Sequence, residues 1–235
     1  MIPLTLAEVA TAVDGRLVAA DPDVRVTGSV EFDSRKVNAG GIFVAFPGEK
    51  VDGHDFAEGA VEAGVVAVLG TREVPGVPMV LVDDARDAMG RLARAVVDRL
   101  PQLTVVGLTG SSGKTTTKDL IAQLTARLGA TVAPPGSFNN ELGHPYTALK
   151  AGPETRYLVM EKGARGIGHV RYLCELVPPR ISVVLNVGTS HIGGFGSQAN
   201  IALAKGELVE ALPADGLAVL NADDRLVAAM ASRTD

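Results

Sequence analysis

The chain has 235 residues, 46% hydrophobic and 21% charged, with a formal net charge of −5. That length suits one large domain or two ordinary ones with cores of their own, and the acidic balance argues against a general nucleic-acid or anionic-membrane binder while leaving room for one basic cleft that takes phosphates. The single cysteine, Cys174, excludes an internal disulfide and a Cys-based zinc site.

Met1-Ile2-Pro3 lacks the charged start of a signal peptide, and Glu8 interrupts the apolar stretch behind it. No apolar run reaches the roughly 18 residues of a membrane span, so the cytoplasm is the expected compartment. Thr5-Leu6-Ala7-Glu8 fits a capping box, with Leu6, Val9 and Val13 at helical spacing and Gly15 as the stop. Short β-like pieces follow at Val24-Arg25-Val26 and Ile42 to Ala45. A helix is predicted over Asp55 to Ala63, ending at Gly64, and strands over Val65 to Leu69 and Met79 to Val82. Asp84 to Leu100 reads as a long helix closed by Pro101, where a domain boundary is expected.

The second half opens on a buried strand, Thr104 to Leu108, and continues as apolar strands alternating with helical segments. Tyr157 to Met160, Ile181 to Leu185 and Ala218 to Leu220 are the clearest of those strands. Such alternation predicts an α/β domain with a largely parallel sheet. Cys174 falls within a helical stretch as a small apolar residue.

Between the first of these strands and a helical stretch from Lys118 to Leu128 lies Gly110-Ser111-Ser112-Gly113-Lys114-Thr115-Thr116-Thr117. Glycines there let backbone N–H groups approach phosphate oxygens, and the helix N-terminus adds positive potential. Lys114 supplies a point charge for the β- and γ-phosphates of ATP, and the Thr115 hydroxyl can ligate Mg²⁺. The standard phosphate-loop spacing puts a glycine at position 108; Leu108 stands there, and Gly107 comes one place early. Nucleotide binding follows from this segment, but not the reaction.

Ligands of open α/β sheets gather at the carboxyl ends of strands. Glu161 follows the strand Tyr157 to Met160, as a solvated rim residue or a Mg²⁺ ligand, and His191 follows Ile181 to Leu185 in a loop. Ile201, Lys205, Leu208 and Leu212 share one face of a helix from about Ser197 to Leu212. A lysine inside that stripe either snorkels outward or sits desolvated with a lowered pKa. Asn139 and Asn140 suit phosphate or sugar contacts, or a turn; Asn221-Ala222-Asp223-Asp224 is a strand-ending turn or an adenine contact.

Taken together, these segments resemble the ATP-dependent Mur ligases of bacterial cell-wall synthesis, most closely the MurF type. The stretch Gly110 to Thr117 carries the same departure from standard spacing as that family. Phe32-Asp33-Ser34-Arg35, Gly41 to Gly48 and Asp52-Gly53-His54-Asp55-Phe56 resemble the uridine-nucleotide domain shared by MurE and MurF types. Gly136 to Gly143 is similar to the MurF version of its loop, and His191 to Ser197 and Ala204-Lys205-Gly206-Glu207 resemble the MurF metal and lysine segments. Asn221 to Asp224 resembles the adenine-side motif.

The resemblance implies an amide ligase that transfers the ATP γ-phosphoryl to a carboxylate and lets an amine displace phosphate. Its substrates would be UDP-N-acetylmuramoyl-tripeptide and D-alanyl-D-alanine, and its cofactor Mg²⁺. Residues 1–100 would bind the UDP-linked peptide, with Ser34, Arg35, Asn139 and Asn140 on the substrate. Residues 101–235 would form part of the ATP-binding central domain, with Gly110, Ser111, Ser112, Gly113, Lys114, Thr115, Thr116 and Asn221 on the nucleotide. Lys114, Glu161, His191 and Lys205 are implied as catalytic. Thr115, Glu161, His191 and a CO₂-derived carbamate on Lys205 would hold metal. A monomer is expected.

Two positions depart from the pattern: Lys162 stands where the family has methionine, and Ser137 where many members have asparagine. On the strand, Lys162 would face away from Glu161 and bury an ammonium; on a loop, it would compete with Mg²⁺ for that carboxylate. Mur ligases carry a third domain for the incoming amine, so these 235 residues are expected to bind nucleotide weakly and not to ligate unaided. A MurE-type ligase adding a diamino acid, a non-catalytic nucleotide- or UDP-sugar-binding module, and a generic phosphate-loop ATPase or kinase are the competing readings.

Overall fold

The computed structural model describes residues 1–48, 51–189 and 192–234. Two compact units divide the chain: Met1–Leu100 with Leu149–Pro153, and Pro101–Ala148 with Glu154–Asp235.

In the first unit, strand β1 (Leu4–Thr5) leads into helix α1 (Leu6–Val13) through the expected capping box, with the Thr5 hydroxyl on the Glu8 amide and the Glu8 carboxylate on the Thr5 amide. The helix stop differs from the prediction. Asp14, not Gly15, takes the left-handed conformation, at φ 55°. Gly15 is required by space instead, since a Cβ there would lie 2.9 Å from the Leu81 carbonyl oxygen. Strands β2 (Arg16–Val18), β3 (Arg25–Val26), β4 (Val30–Glu31) and β5 (Ile42–Val44) follow. The predicted 55–63 helix is shorter: a 3₁₀ turn at Gly53–Phe56 runs into α2 (Ala57–Glu62), and Gly64 ends it at φ +99°. Strands β6 (Ala67–Gly70) and β7 (Met79–Leu81) complete a sheet of order β2-β7-β6-β5-β4, parallel except for β2. Helix α3 (Ala85–Asp98) is capped by the Asp84 carboxylate on the Arg86 and Asp87 amides. Phe43, Ala45, Ala57, Val68 and Met79 pack as a core.

The second unit is a parallel sheet of order β12-β11-β8-β10-β9. Its elements run β8 (Thr104–Thr109), α4 (Lys114–Thr125), β9 (Thr131–Val132), α5 (Gly143–Ala148), β10 (Tyr157–Glu161) and α6 (His169–Leu176). Then come β11 (Ile181–Val184), α7 (Ile192–Phe195), α8 (Gln198–Glu210), β12 (Leu217–Leu220) and α9 (Arg225–Ala228). Helix α4 starts four residues before the predicted Lys118, because Gly113 at φ +77° turns the loop straight into it. Central strands bury Val106, Leu108 and Val159, and α8 packs Ile201, Ala204, Leu208 and Val209 against Val184 and Val170. Each large apolar side chain so buried stabilises the unit by about 1.5–3 kcal/mol. Cys174 lies in α6, buried as expected. Among the described residues no helix is long and apolar enough to cross a membrane.

Candidate functional site

Parallel pairing puts the carboxyl ends of β8, β10 and β11 side by side, with Glu161 opposite Leu108 and Val184 opposite Thr109. A cleft of about 550 Å³ opens in the second unit, lined by Gly110, Ser111, Lys114, Asn139, Arg165 and Lys205 among others.

The loop after β8 is held by a residue the sequence reading passed over. Asn186, just beyond β11, accepts from the Ser111 and Ser112 amides at 2.9 and 3.0 Å, and its own amide donates to the Ser112 carbonyl at 3.2 Å. The Gly188 amide donates to the Ser111 hydroxyl at 2.9 Å. With those amides engaged, the first-turn N–H groups of α4 remain for an anion, since no side chain caps this helix. The Lys114 ammonium donates to the Gly110 carbonyl at 3.0 Å.

Glu161 is the centre of the arrangement. It is 1% exposed at the end of β10. Its Oε2 accepts from the Thr115 hydroxyl at 2.9 Å and its Oε1 from the Asn139 amide at 2.7 Å. Asn139 is itself tied to the strand end, because its carbonyl accepts from the Gly163 amide at 3.1 Å. Gly163 has to be small: a Cβ there would lie 3.0 Å from Asn139 Oδ1. Asn140 has a different task, accepting from the Gly143 amide at 2.8 Å at the start of α5.

Lys205 is 5% exposed and lines the same cleft. Burial, and then the positive charge of Lys114, lower its pKa to about 8. The one-face reading of α8 is too simple, because every residue from Ala204 to Val209 is buried. Glu207 in that stretch accepts from the Gly168 and Arg171 amides and so caps α6. Nothing in the sequence spacing marked that role.

Lys162 takes the strand alternative. It lies on the face opposite Glu161, fully buried, with its ammonium on His144 Nε2 at 3.0 Å, Leu173 O at 3.1 Å and Val177 O at 3.0 Å. Three acceptors match three N–H groups, and the last two belong to the C-terminal end of α6, where a cation is favoured. It does not compete for the Glu161 carboxylate. Burial, and then Lys162, push the His144 pKa well below its ordinary value.

Asn221 does not line the cleft. Its amide donates to the Leu185 carbonyl at 2.9 Å and its carbonyl accepts from Asp223, while Asp224 accepts from Val187 at 2.7 Å and caps α9. The segment therefore ties the ends of β11 and β12 together. His191 lies outside the described residues, and among those described no three His, Cys, Asp or Glu side chains gather as a metal site.

In the first unit a separate cleft of about 560 Å³ is lined by Phe32, Asp33, Ser34, Arg35, Phe46 and Phe56, with the Phe32 and Phe46 rings 6.0 Å apart. Arg35 forms a two-pronged contact with Asp33, at 2.8 and 2.9 Å, and holds that carboxyl down to about 2. His54 is structural: its Nε2 accepts from the Thr71 amide at 2.9 Å, so its Nδ1 carries the proton shared with Asp52 at 2.6 Å.

Residues 108–235 match the Mur ligase middle domain, and residues 26–97 match the catalytic domain of the Mur ligase family. The UDP-N-acetylmuramoyl-tripeptide–D-alanyl-D-alanine ligase of Mycobacterium tuberculosis is 49% identical, with 100% of this chain and 51% of that protein aligned. A crystal structure of MurF from Acinetobacter baumannii superposes with a TM-score of 0.88 at 33% identity, over 98% of this chain and 51% of that one. MurF of Thermotoga maritima, solved in complex with ADP, gives 0.77 at 34% identity, over 89% and 49%. The chain spans about half the length of the curated relatives it matches.

Proposed function

This chain belongs to the Mur ligase family, and we propose that it carries the nucleotide site and the UDP-peptide site of a ligase that joins D-alanyl-D-alanine to UDP-N-acetylmuramoyl-tripeptide. The observation that carries the reading is the hydrogen-bonded set Thr115, Glu161 and Asn139, whose Asn139 lines one cleft together with Lys114 and Lys205.

Amide formation from a free carboxylate fails in water because oxide leaves poorly. Transfer of the γ-phosphoryl group of ATP to the carboxylate makes an acyl phosphate; the amine of D-alanyl-D-alanine then attacks its carbonyl carbon, and phosphate departs. Such a site works by positioning and charge stabilisation. Lys114 and the free amides at the start of α4 bind the β- and γ-phosphates. The Glu161 carboxylate and Thr115 hydroxyl, oxygen donors 2.9 Å apart, fit Mg²⁺, which binds through few protein oxygens and keeps water and phosphate for the rest. Bound there, Mg²⁺ would offset the charge of the triphosphate. Asn139 fixes the carboxylate by hydrogen-bonding its other oxygen.

The neutral Lys205 amine can attack the carbon of CO₂ and lose a proton, which would leave a carbamate whose single negative charge is shared by two oxygens. His191 is assigned to the metal and Asn221 to the adenine side by family resemblance. The first-unit cleft takes the uridine end: its phenylalanines suit a flat base and Ser34 and Arg35 the polar groups. A monomer working in the cytoplasm, where ATP and UDP-linked precursors occur, completes the reading. The names of the similar proteins favour D-alanyl-D-alanine over the diamino acid of a MurE-type enzyme.

Calorimetry with Mg–ADP and with UDP-N-acetylmuramoyl-tripeptide tests the assignment. Both should bind wild type, and Lys114→Ala should lose the ADP signal alone. Absence of ADP binding by wild type, or equal binding by Lys114→Ala, would sink it.

A further inference from the structure

The rim of the second-unit cleft carries a charged group that none of the roles above uses. Arg165, on the loop after β10, and His169, at the start of α6, both line the cleft. Glu141, from the segment before α5, faces them, with Oε2 3.4 Å from Arg165 Nη1 and Oε1 3.0 Å from His169 Nε2. The Arg165 backbone amide donates to His169 Nδ1 at 3.2 Å, so a neutral His169 carries its proton on Nε2, the atom nearest the carboxylate. The Arg165 side chain is 67% exposed, and its contact with Glu141 is long for a charged hydrogen bond, so most of its five donors face the cleft and water.

The arrangement is one carboxylate spread across a guanidinium and an imidazole in a cleft that the phosphate loop also lines. We propose that Arg165, seconded by His169, clamps a carboxylate of the acidic acceptor peptide, and that Glu141 occupies this clamp when no peptide is bound; the inference rests on the ligase reading of the same cleft. A planar guanidinium matches a carboxylate edge to edge, as an ammonium does not. Exchange of Glu141 for a ligand carboxylate replaces like charge with like, so it carries little electrostatic cost. Arg165 also lies four residues beyond Glu161, on the segment that leaves the same strand end, which fixes where a bound carboxylate stands relative to the proposed metal ligand. The other anion within the cleft's chemistry is the nucleotide phosphate, and a binding experiment separates the two.

Affinities of UDP-N-acetylmuramoyl-tripeptide, UDP and Mg–ADP should be compared by calorimetry for wild type, Arg165→Gln and Glu141→Gln. Both side chains are at the rim, so neither change should disturb folding. Arg165→Gln should weaken the tripeptide nucleotide about ten- to a hundredfold and leave UDP and ADP unchanged. Glu141→Gln, by emptying the clamp of its competitor, should tighten the tripeptide nucleotide by about two- to fivefold. Equal tripeptide affinity in Arg165→Gln and wild type overturns the inference, as does a loss that falls on ADP instead. A wild-type chain that binds neither nucleotide overturns the ligase reading and this clamp with it; one that binds both while Arg165→Gln is silent overturns the clamp alone.

Discussion

Lys205 is a cation that the fold disfavours. Burial and the facing charge of Lys114 bring its pKa to about 8, against 10.5 for an ordinary lysine. At pH 7.5 roughly a quarter of the chains then hold it as a free amine, against about a thousandth for an unshifted lysine. Isotope-labelled bicarbonate should therefore give a carbamate signal by nuclear magnetic resonance in wild type and none in Lys205→Ala; the same signal in both would remove the modification from the site. The lowered pKa also sets a direction for stability. Between about 8 and 10.5 the unfolded chain holds this proton and the folded chain has released it, so folding gains as pH rises through that window, by at most about 3 kcal/mol. Urea titrations of wild type and Lys205→Met across that range should diverge accordingly, and parallel curves would show that the amine is solvated. Burial lowers the Lys162 pKa as well, but its contacts differ. Its ammonium is matched to three acceptors, and Lys162→Met would leave Val177 O and His144 Nε2 without a donor. A loss of about 1–3 kcal/mol is expected in denaturant unfolding, despite the methionine's better fit to an apolar interior. An unchanged midpoint would mean that the residues around it repack.

At the level of elements, the phosphate loop depends on a partner 75 residues away in sequence. Asn186 holds the Ser111 and Ser112 amides, so Asn186→Ala should loosen the loop and raise the Kd for Mg–ADP about tenfold while UDP binding stays as it was. Wild-type ADP affinity in that variant would show that the loop keeps its shape alone. The contrast between Asn186 and Lys114 explains what the amino-acid order makes legible. Lys114 is announced by its neighbours: glycines on one side, a strand before and a helix after. Asn186 is one more polar residue after a strand, and its meaning appears only when β11 is laid beside β8. The same holds for Glu207, whose helical position says buried or exposed but cannot say that the amides of α6 lie opposite. Capping boxes and apolar strands read correctly because their physics is local. Helix ends read less well, as at Asp14, where an Asp takes the left-handed turn and the neighbouring glycine answers a close approach from Leu81. Lys162 shows the middle case: strand alternation named both faces it could occupy, and only packing chose.

Across the whole molecule, each unit carries its own sheet, its own core and its own cleft. Separate cores allow separate responses. A ligand stabilises what it binds by RT ln(1 + [L]/Kd), about 2.7 kcal/mol at a hundredfold excess over Kd, and slows opening of the structure around its site. Hydrogen exchange therefore offers a test of the division of labour. Saturating Mg–ADP should protect amides near Gly110–Thr116 and the end of β10 and leave those of β4, β5 and the Ser34–Lys36 turn unchanged. UDP should do the reverse, slowing exchange around Ser34 and Phe46 and sparing the phosphate loop. Protection of the first unit by ADP, or of the phosphate loop by UDP, would mean that the two clefts are wrongly assigned, however well the motifs around each agree.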